Sequence, residues 1–210
     1  SITTQDIDKE FAAIANKLNI SDRIDTTTPN SAFITLKDHK ENFENNPKSR
    51  LINPTKSQLG RVSKTMLDRI NTAIRAKTKP NQWTRTSDVI NWFNNLANKE
   101  HLSFIVFDIV DFYPSISKDL LTTCLDWAKK FTKITDSEYR TIMHVRKTLL
   151  YNNDNSIWQK RDANQAFDVS MGAYDGAEIC ELVGLYALAQ LKGRINTSSI
   201  GLYRDDGLEP

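Results

Sequence analysis

At 210 residues, with 39% hydrophobic, 26% charged and 9% aromatic residues and a formal net charge of +2, the chain has ordinary globular composition, which excludes a disordered tail and a staple-dependent miniprotein. No apolar run approaches the roughly 20 residues of a membrane span, and the opening SITTQDIDKE lacks a basic-then-apolar leader pattern, so the expectation is a soluble, intracellular protein. The two cysteines, Cys124 and Cys180, allow at most one disulfide, and none of His39, His101 and His144 stands beside them to build a structural zinc site.

In chain order, Ile7, Phe11, Ile14 and Leu18 recur at helical spacing after Thr3 and Thr4, and predict an amphipathic helix over 5–19. Residues 31–36 (SAFITL) and 49–52 (SRLI) read as two short strands joined by the charged loop KDHKENFENNPK. Helices are expected over 57–77 and 87–98, the second with Trp92, Phe93 and Leu96 on one face. The run LSFIVF at 102–107 fits a buried strand that ends abruptly in Asp108. Pro114 and Ser117 mark a helix start, with Leu120, Leu121, Cys124, Leu125 and Ala128 on its inner face. Thr135 and Glu138 have capping-box spacing, and the apolar stripe of the helix they open runs to Leu150. The polar turn NNDN at 152–155 precedes possible strands near 156–159 and 166–170. An apolar helix is expected over 177–191, then a strand over 199–203 running into Arg204-Asp205-Asp206-Gly207.

The charge is unevenly distributed. Between Lys37 and Arg85 twelve Lys/Arg face four Asp/Glu, whereas from His101 onward twelve face fifteen. A basic first half and an acidic second half suggest a polyanion held by one part and cations by the other. Two apolar strands, FIVFDIVD at 104–111 and IGLYRDD at 200–206, deliver carboxylates at their ends. Two carboxylates about 4 Å apart repel by roughly 4 kcal/mol at an effective dielectric of 20. Bound cations reverse that sign, and a pair of Mg²⁺ ions suits phosphoryl displacement.

Phe107-Asp108-Ile109-Val110-Asp111-Phe112-Tyr113 and Tyr203-Arg204-Asp205-Asp206 resemble the two catalytic motifs of reverse transcriptases, RNA-directed DNA polymerases whose signature is Tyr-x-Asp-Asp. Between them, Met171 to Ala177 stands where that family has its Gln-Gly segment. Upstream, Leu36 to Lys40 and Lys48 to Pro54 resemble its basic fingers motifs, so the resemblance covers residues 31–207. It implies an α+β fold of right-hand polymerase type, with an antiparallel palm sheet backed by helices. The expected organisation is an N-terminal helical extension over 1–30, fingers over 31–100 and an incomplete palm over 101–210 without a thumb.

The resemblance also implies roles. Asp108, Asp205 and Asp206 would be the catalytic carboxylates holding two Mg²⁺ ions, or Mn²⁺ in their place, with the Ile109 carbonyl near them. Lys37 and Arg50 would grip the triphosphate of an incoming deoxynucleotide, Arg through its planar fork and Lys as a point charge. Tyr113 matches an aromatic gate whose ring leaves no room for a 2′-hydroxyl. Gly176 would let backbone approach the nucleotide. Lys56, Arg61, Lys64 and Arg69 would follow a template backbone. The implied partners are an RNA template, a DNA or RNA primer and deoxynucleotides, with no membrane. The implied lineage is a divergent mobile element.

Two departures stand out. Asp175 occupies the place of an amide, where an acid near triphosphate would repel unless it is paired. Only Gly207-Leu208-Glu209-Pro210 follow the Tyr-x-Asp-Asp turn, so the strand at 199–203 is expected to lack its return partner and the chain to be truncated. Hence two alternatives: a decayed, non-catalytic nucleic-acid-binding remnant, and an RNA-directed RNA polymerase. The latter usually has Asp where Tyr113 stands.

Overall fold

The computed structural model describes residues 4–19, 21, 31–38, 43–54, 57–147, 150–151, 157–158, 167–192 and 200–210. Lys40, Lys56 and the NNDN turn lie outside them. The contacts divide the α+β chain into two discontinuous units, one from residues 1–66 and 135–176, the other from 67–134 and 177–210. Helix α2 (Gln58–Thr78) contributes its first turns to one and the remainder to the other.

In the first unit, helix α1 (Thr4–Lys17) packs against α6 (Asp136–His144). The Thr135–Glu138 capping box that opens α6 forms as its spacing predicts: Thr135 Oγ1 accepts from the Glu138 N–H at 3.2 Å, and the Glu138 carboxylate accepts from the Thr135 N–H at 2.8 Å. The helix is shorter than its apolar stripe implied. It stops at His144, Lys147 forms an isolated bridge with Phe167, and Leu150 belongs to strand β5 (Leu150–Tyr151), paired with β6 (Ile157–Trp158). Strands β1 (Phe33–Leu36) and β2 (Ser49–Ile52) pair antiparallel, as their sequences suggested.

The second unit is built on a four-stranded sheet of order β3-β7-β8-β4, from β3 (Gln82–Trp83), β7 (Gly201–Tyr203), β8 (Asp206–Glu209) and β4 (Ile105–Asp108). It is antiparallel across β7, β8 and β4, but β3 joins β7 in parallel, so the sheet is mixed rather than wholly antiparallel. Leu202 and Phe107 point to one face, where Leu188 and Leu191 of helix α7 (Gly176–Lys192) cover them together with Ile200. Helix α5 (Lys118–Ala128), whose Ser117 cap accepts from the Leu120 N–H, buries Leu121, Cys124, Leu125 and Ala128. Its Trp127 meets Tyr186 of α7 edge to face, with centroids 5.5 Å apart. Leu67, Ile70 and Ile74 of α2 and Leu182 and Leu185 of α7 are fully buried, each contributing about 1.5–3 kcal/mol relative to exposure.

Two expectations are corrected here. The tail after the Tyr-x-Asp-Asp turn is no stub: Asp206 to Glu209 form β8, the missing return strand, which pairs with β7 on one side and β4 on the other. The run at 102–107 is not a buried strand. Strand β4 is an edge of the sheet, with Ile105 61% and Val106 75% exposed. Of that run, Phe107 packs against the α7 cluster and Phe104 against the ring of Phe93, with centroids 5.6 Å apart.

Candidate active site

The register of the sheet brings the strand-end carboxylates together. Asp108, the last residue of β4, lies directly opposite Asp206, the first of β8, and the Ile109 N–H donates to the Asp205 carbonyl at 2.8 Å. Residues opposite one another in an antiparallel pair share a face, with Cβ atoms about 4.5–5.5 Å apart. Asp108 and Asp206 therefore project on the face opposite Phe107 and Leu202, away from α7. Asp205 sits beside them in the two-residue turn between β7 and β8, where Arg204 takes a left-handed φ of 58°. All three carboxylates are exposed.

The hairpin depends on an intimate glycine. Gly207 faces Phe107 across the β4–β8 pair, and a Cβ at this position would lie 2.0 Å from the ring. Glycine lets the outer end of the Phe107 ring lie against the strand that delivers Asp206.

Tyr113 lies in the short helix α4 (Phe112–Ser115), which follows Asp111 in a left-handed φ of 50°. Its hydroxyl is hydrogen-bonded to the Cys180 side chain. Burial first, then Cys180, push the phenol up to about 12; Arg204 opposes the rise and Asp205 adds to it. The ring is thus neutral at physiological pH and near enough to the carboxylate turn to feel its charge.

Asp108, Asp205 and Asp206 carry hard oxygen donors of the kind that Mg²⁺ takes, and they lie on an open face. No group of three or more His, Cys, Asp or Glu side chains among the described residues is gathered into a ready-made cation cage.

The other site residues fall elsewhere in the chain. Lys37 and Arg50 belong to the first unit: Arg50 pairs with Thr35, and the Lys37 N–H donates to the Lys48 carbonyl at 2.8 Å, extending the β1–β2 ladder by a rung. Alternation sets Thr35, Lys37, Lys48 and Arg50 on one face of that ribbon. Gly176 is buried as the first residue of α7. Arg61 donates to the Tyr174 hydroxyl at 2.8 Å and stacks on its ring, 4.7 Å from the centroid. Arg69 donates to Thr132 Oγ1 and the Lys133 carbonyl, and Lys64 also has an intramolecular partner. Lys56 lies outside the described residues.

Asp175, the anomalous acid of the middle motif, is paired. Its carboxylate is fully buried, bonded to the Arg146 guanidinium on one oxygen and accepting from Ser63 Oγ on the other. Arg146 was invisible to sequence reasoning: it falls just past the end of α6, and an arginine at the end of a helix ordinarily reads as solvated. Next to this pair, Gly172 adopts φ 105° and the Asn53 N–H donates to the Met171 carbonyl at 3.2 Å, which ties the middle motif to the end of β2.

A structure of apo telomerase from Candida Tropicalis, truncated from its C-terminal domain, superposes on 95% of this chain with a TM-score of 0.56 and 13% identity. The chain covers 48% of that protein, about half its length. The likeness is one of fold. No protein-family model matches the sequence, and no curated protein matches it. No helix among the described residues is long and apolar enough to cross a membrane.

Proposed function

We propose that the chain is the fingers and palm portion of an RNA-directed DNA polymerase of mobile-element type, carrying out nucleotidyl transfer of deoxynucleotides onto a primer 3′-hydroxyl. The observation that carries this reading is the Asp108–Asp206 rung with Asp205 in the adjoining turn: three carboxylates on one open sheet end, from motifs of the right order and spacing. The fold shared with a telomerase supports it in kind.

In this reading Asp108, Asp205 and Asp206 hold two divalent cations, Mg²⁺ or Mn²⁺. The ions, when bound, lower the charge barrier at the α-phosphate during in-line displacement. The carboxylates orient what they bind through a rigid β-rung, so little reorganisation is needed. Tyr113 excludes a 2′-hydroxyl by the bulk of a neutral ring. Lys37 and Arg50 neutralise the triphosphate, and the ribbon face they share with Lys48 adds a third cation. Arg61, Lys64, Arg69 and Lys56 are the proposed backbone contacts, and Gly176 the point of close nucleotide approach.

The decayed-remnant reading drew its support from a missing hairpin strand; with β8 in the sheet that support is gone. Tyr113, five residues after Asp108, favours deoxynucleotides over an RNA-polymerase reading. Primer extension on an RNA template with Mg²⁺ tests the proposal. The expected result is extension with deoxynucleotides and little with ribonucleotides, abolished in Asp108→Asn and Asp205→Asn. Extension that survives either substitution sinks the assignment.

A further inference from the structure

The register of the sheet extends beyond the two carboxylates. Trp83 on β3 lies opposite Tyr203 on β7, Tyr203 opposite Asp206 on β8, and Asp206 opposite Asp108 on β4. These four residues form one row across the sheet, on the face away from α7. Trp83 confirms that side by lying over Gly201, where a Cβ would meet its ring at 2.2 Å. At about 4.8 Å per strand, the far end of the row is roughly 14 Å from Asp108.

At that end is a groove of about 590 Å³ between β3 and helix α3 (Thr86–Asn94), lined among others by Pro80, Trp83, Asp88, Asn91, Trp92 and Asn95. Its volume lies within the range of small-molecule sites. Trp83 is buried and wedged against Gly201, and backs Trp92, with centroids 4.9 Å apart and planes tilted by 59°. The Trp92 indole remains partly exposed. Asn91 and Asn95, one helical turn apart, expose amides that each offer a donor and an acceptor. The Asp88 carboxylate accepts from the backbone N–H groups of Thr84 and Arg85, and its charge disfavours a phosphate inside the groove. The segment from Arg75 to His101 nevertheless carries five Lys/Arg against two Asp/Glu.

We infer that this groove binds a nucleobase of single-stranded nucleic acid, stacked on Trp92 and hydrogen-bonded on its edge by Asn91 and Asn95, in the row that ends at the catalytic carboxylates. An aromatic face accepts any base, and an asparagine amide matches the paired donor and acceptor of a base edge such as adenine's. The phosphates stay outside, near Lys79 and Arg85, which flank the lining residues in sequence. A distance of roughly 14 Å corresponds to about four nucleotides of a stacked strand, so one strand reaches from the groove to the carboxylates. The base site stands on the groove alone; only its link to the carboxylates rests on the nucleotidyl-transfer reading.

The test is tryptophan fluorescence of the 210-residue chain titrated with octa-adenylate and, separately, adenosine monophosphate. Octa-adenylate should quench saturably and bind more tightly than the mononucleotide. The paired substitution Asn91→Ala with Asn95→Ala, both exposed, should weaken it about tenfold while leaving all tryptophans in place. Trp92→Leu should remove the quenching, and Trp127→Phe should preserve it. Asp108→Asn, which should abolish nucleotidyl transfer, should still show the Trp92-dependent quenching by adenosine monophosphate, which is too short to reach the carboxylates and so separates failure of the base site from failure of the polymerase reading. Absence of quenching in the wild-type chain, equal affinity in the double asparagine variant, or saturable quenching by a proline-rich peptide in place of the oligonucleotide overturns the inference.

Discussion

Arg146 and Asp175 form an ion pair with side chains 1% and 0% exposed, and Asp175 is the residue immediately before Gly176. The acid that would repel a triphosphate is therefore neutralised inside the protein. Its second oxygen is taken by Ser63.

Breaking this pair from one side should be costly, because the charge left behind has no water. Asp175→Asn or Arg146→Met is expected to lower unfolding free energy by about 3–5 kcal/mol, whereas Asp175→Leu combined with Arg146→Met should recover a large part of the loss. Urea denaturation of the two single variants and the double variant checks this. Additive losses would show that the residues do not act as a pair.

His144 should make the first unit acid-sensitive. It is buried, with Nδ1 3.2 Å from the Glu10 carboxylate, which also binds Lys147. Burial holds the imidazole pKa below its ordinary 6.5, more than the nearby Glu10 charge raises it, with Lys147 adding to the lowering. Burial alone would raise the Glu10 carboxyl, but the bonds and charges of Lys147 and His144 overcome it and hold that pKa below the ordinary 4.5. A histidine depressed in the folded state binds its proton more readily when unfolded. Its contribution is whole above about pH 6.5 and is lost as pH falls from there through the depressed folded value. Thermal midpoints should fall between about pH 7.5 and 5.5, and His144→Gln should flatten that dependence. An equal slope in the variant would contradict this origin.

Gly207 offers a test of the hairpin that carries Asp205 and Asp206. A methyl group there meets the Phe107 ring at 2.0 Å, so Gly207→Ala should destabilise by about 1–3 kcal/mol, and Phe107→Leu in the same chain should relieve part of it. Differential scanning calorimetry of Gly207→Ala, Phe107→Leu and the double variant reads the coupling, and no relief would contradict the contact.

Tyr113→Ala should admit ribonucleotides. The ring is half-buried beside Cys180 and the Asp205 turn, and its removal opens room for a 2′-hydroxyl. Single-nucleotide incorporation with paired ribo- and deoxynucleotides measures it. An unchanged preference would return Tyr113 to a packing role.

Local signals in the sequence were legible where a few adjacent residues determine the outcome. The Thr135–Glu138 box and the Ser117 cap formed as read, because each is closed by side chains within three residues of one another. The place of Asp108 at a strand end was legible because an apolar run that halts at a carboxylate marks where a strand stops. What failed was tertiary context. A continuous apolar run does not distinguish an edge strand from a central one, so the exposure of Ile105 and Val106 had no local signature. Strand β8 was missed because DGLE carries a glycine and two acids around one leucine, and only pairing with both β7 and β4 makes it a strand. The burial of Arg146 and the wedge of Trp83 on Gly201 arise from residues 29 and 118 positions away in sequence, beyond any periodic pattern.

Turnover depends on every part of a polymerase at once, whereas cation binding interrogates the carboxylates directly. The deciding measurement is electron paramagnetic resonance of Mn²⁺ titrated into the chain with a deoxynucleoside triphosphate present. The expected result is Mn²⁺ bound beyond what the nucleotide alone holds, lost in Asp108→Asn and in Asp205→Asn while circular dichroism stays native. Equal Mn²⁺ binding by the wild-type chain and both variants would contradict the assignment of a metal-dependent nucleotidyl-transfer site to this end of the sheet.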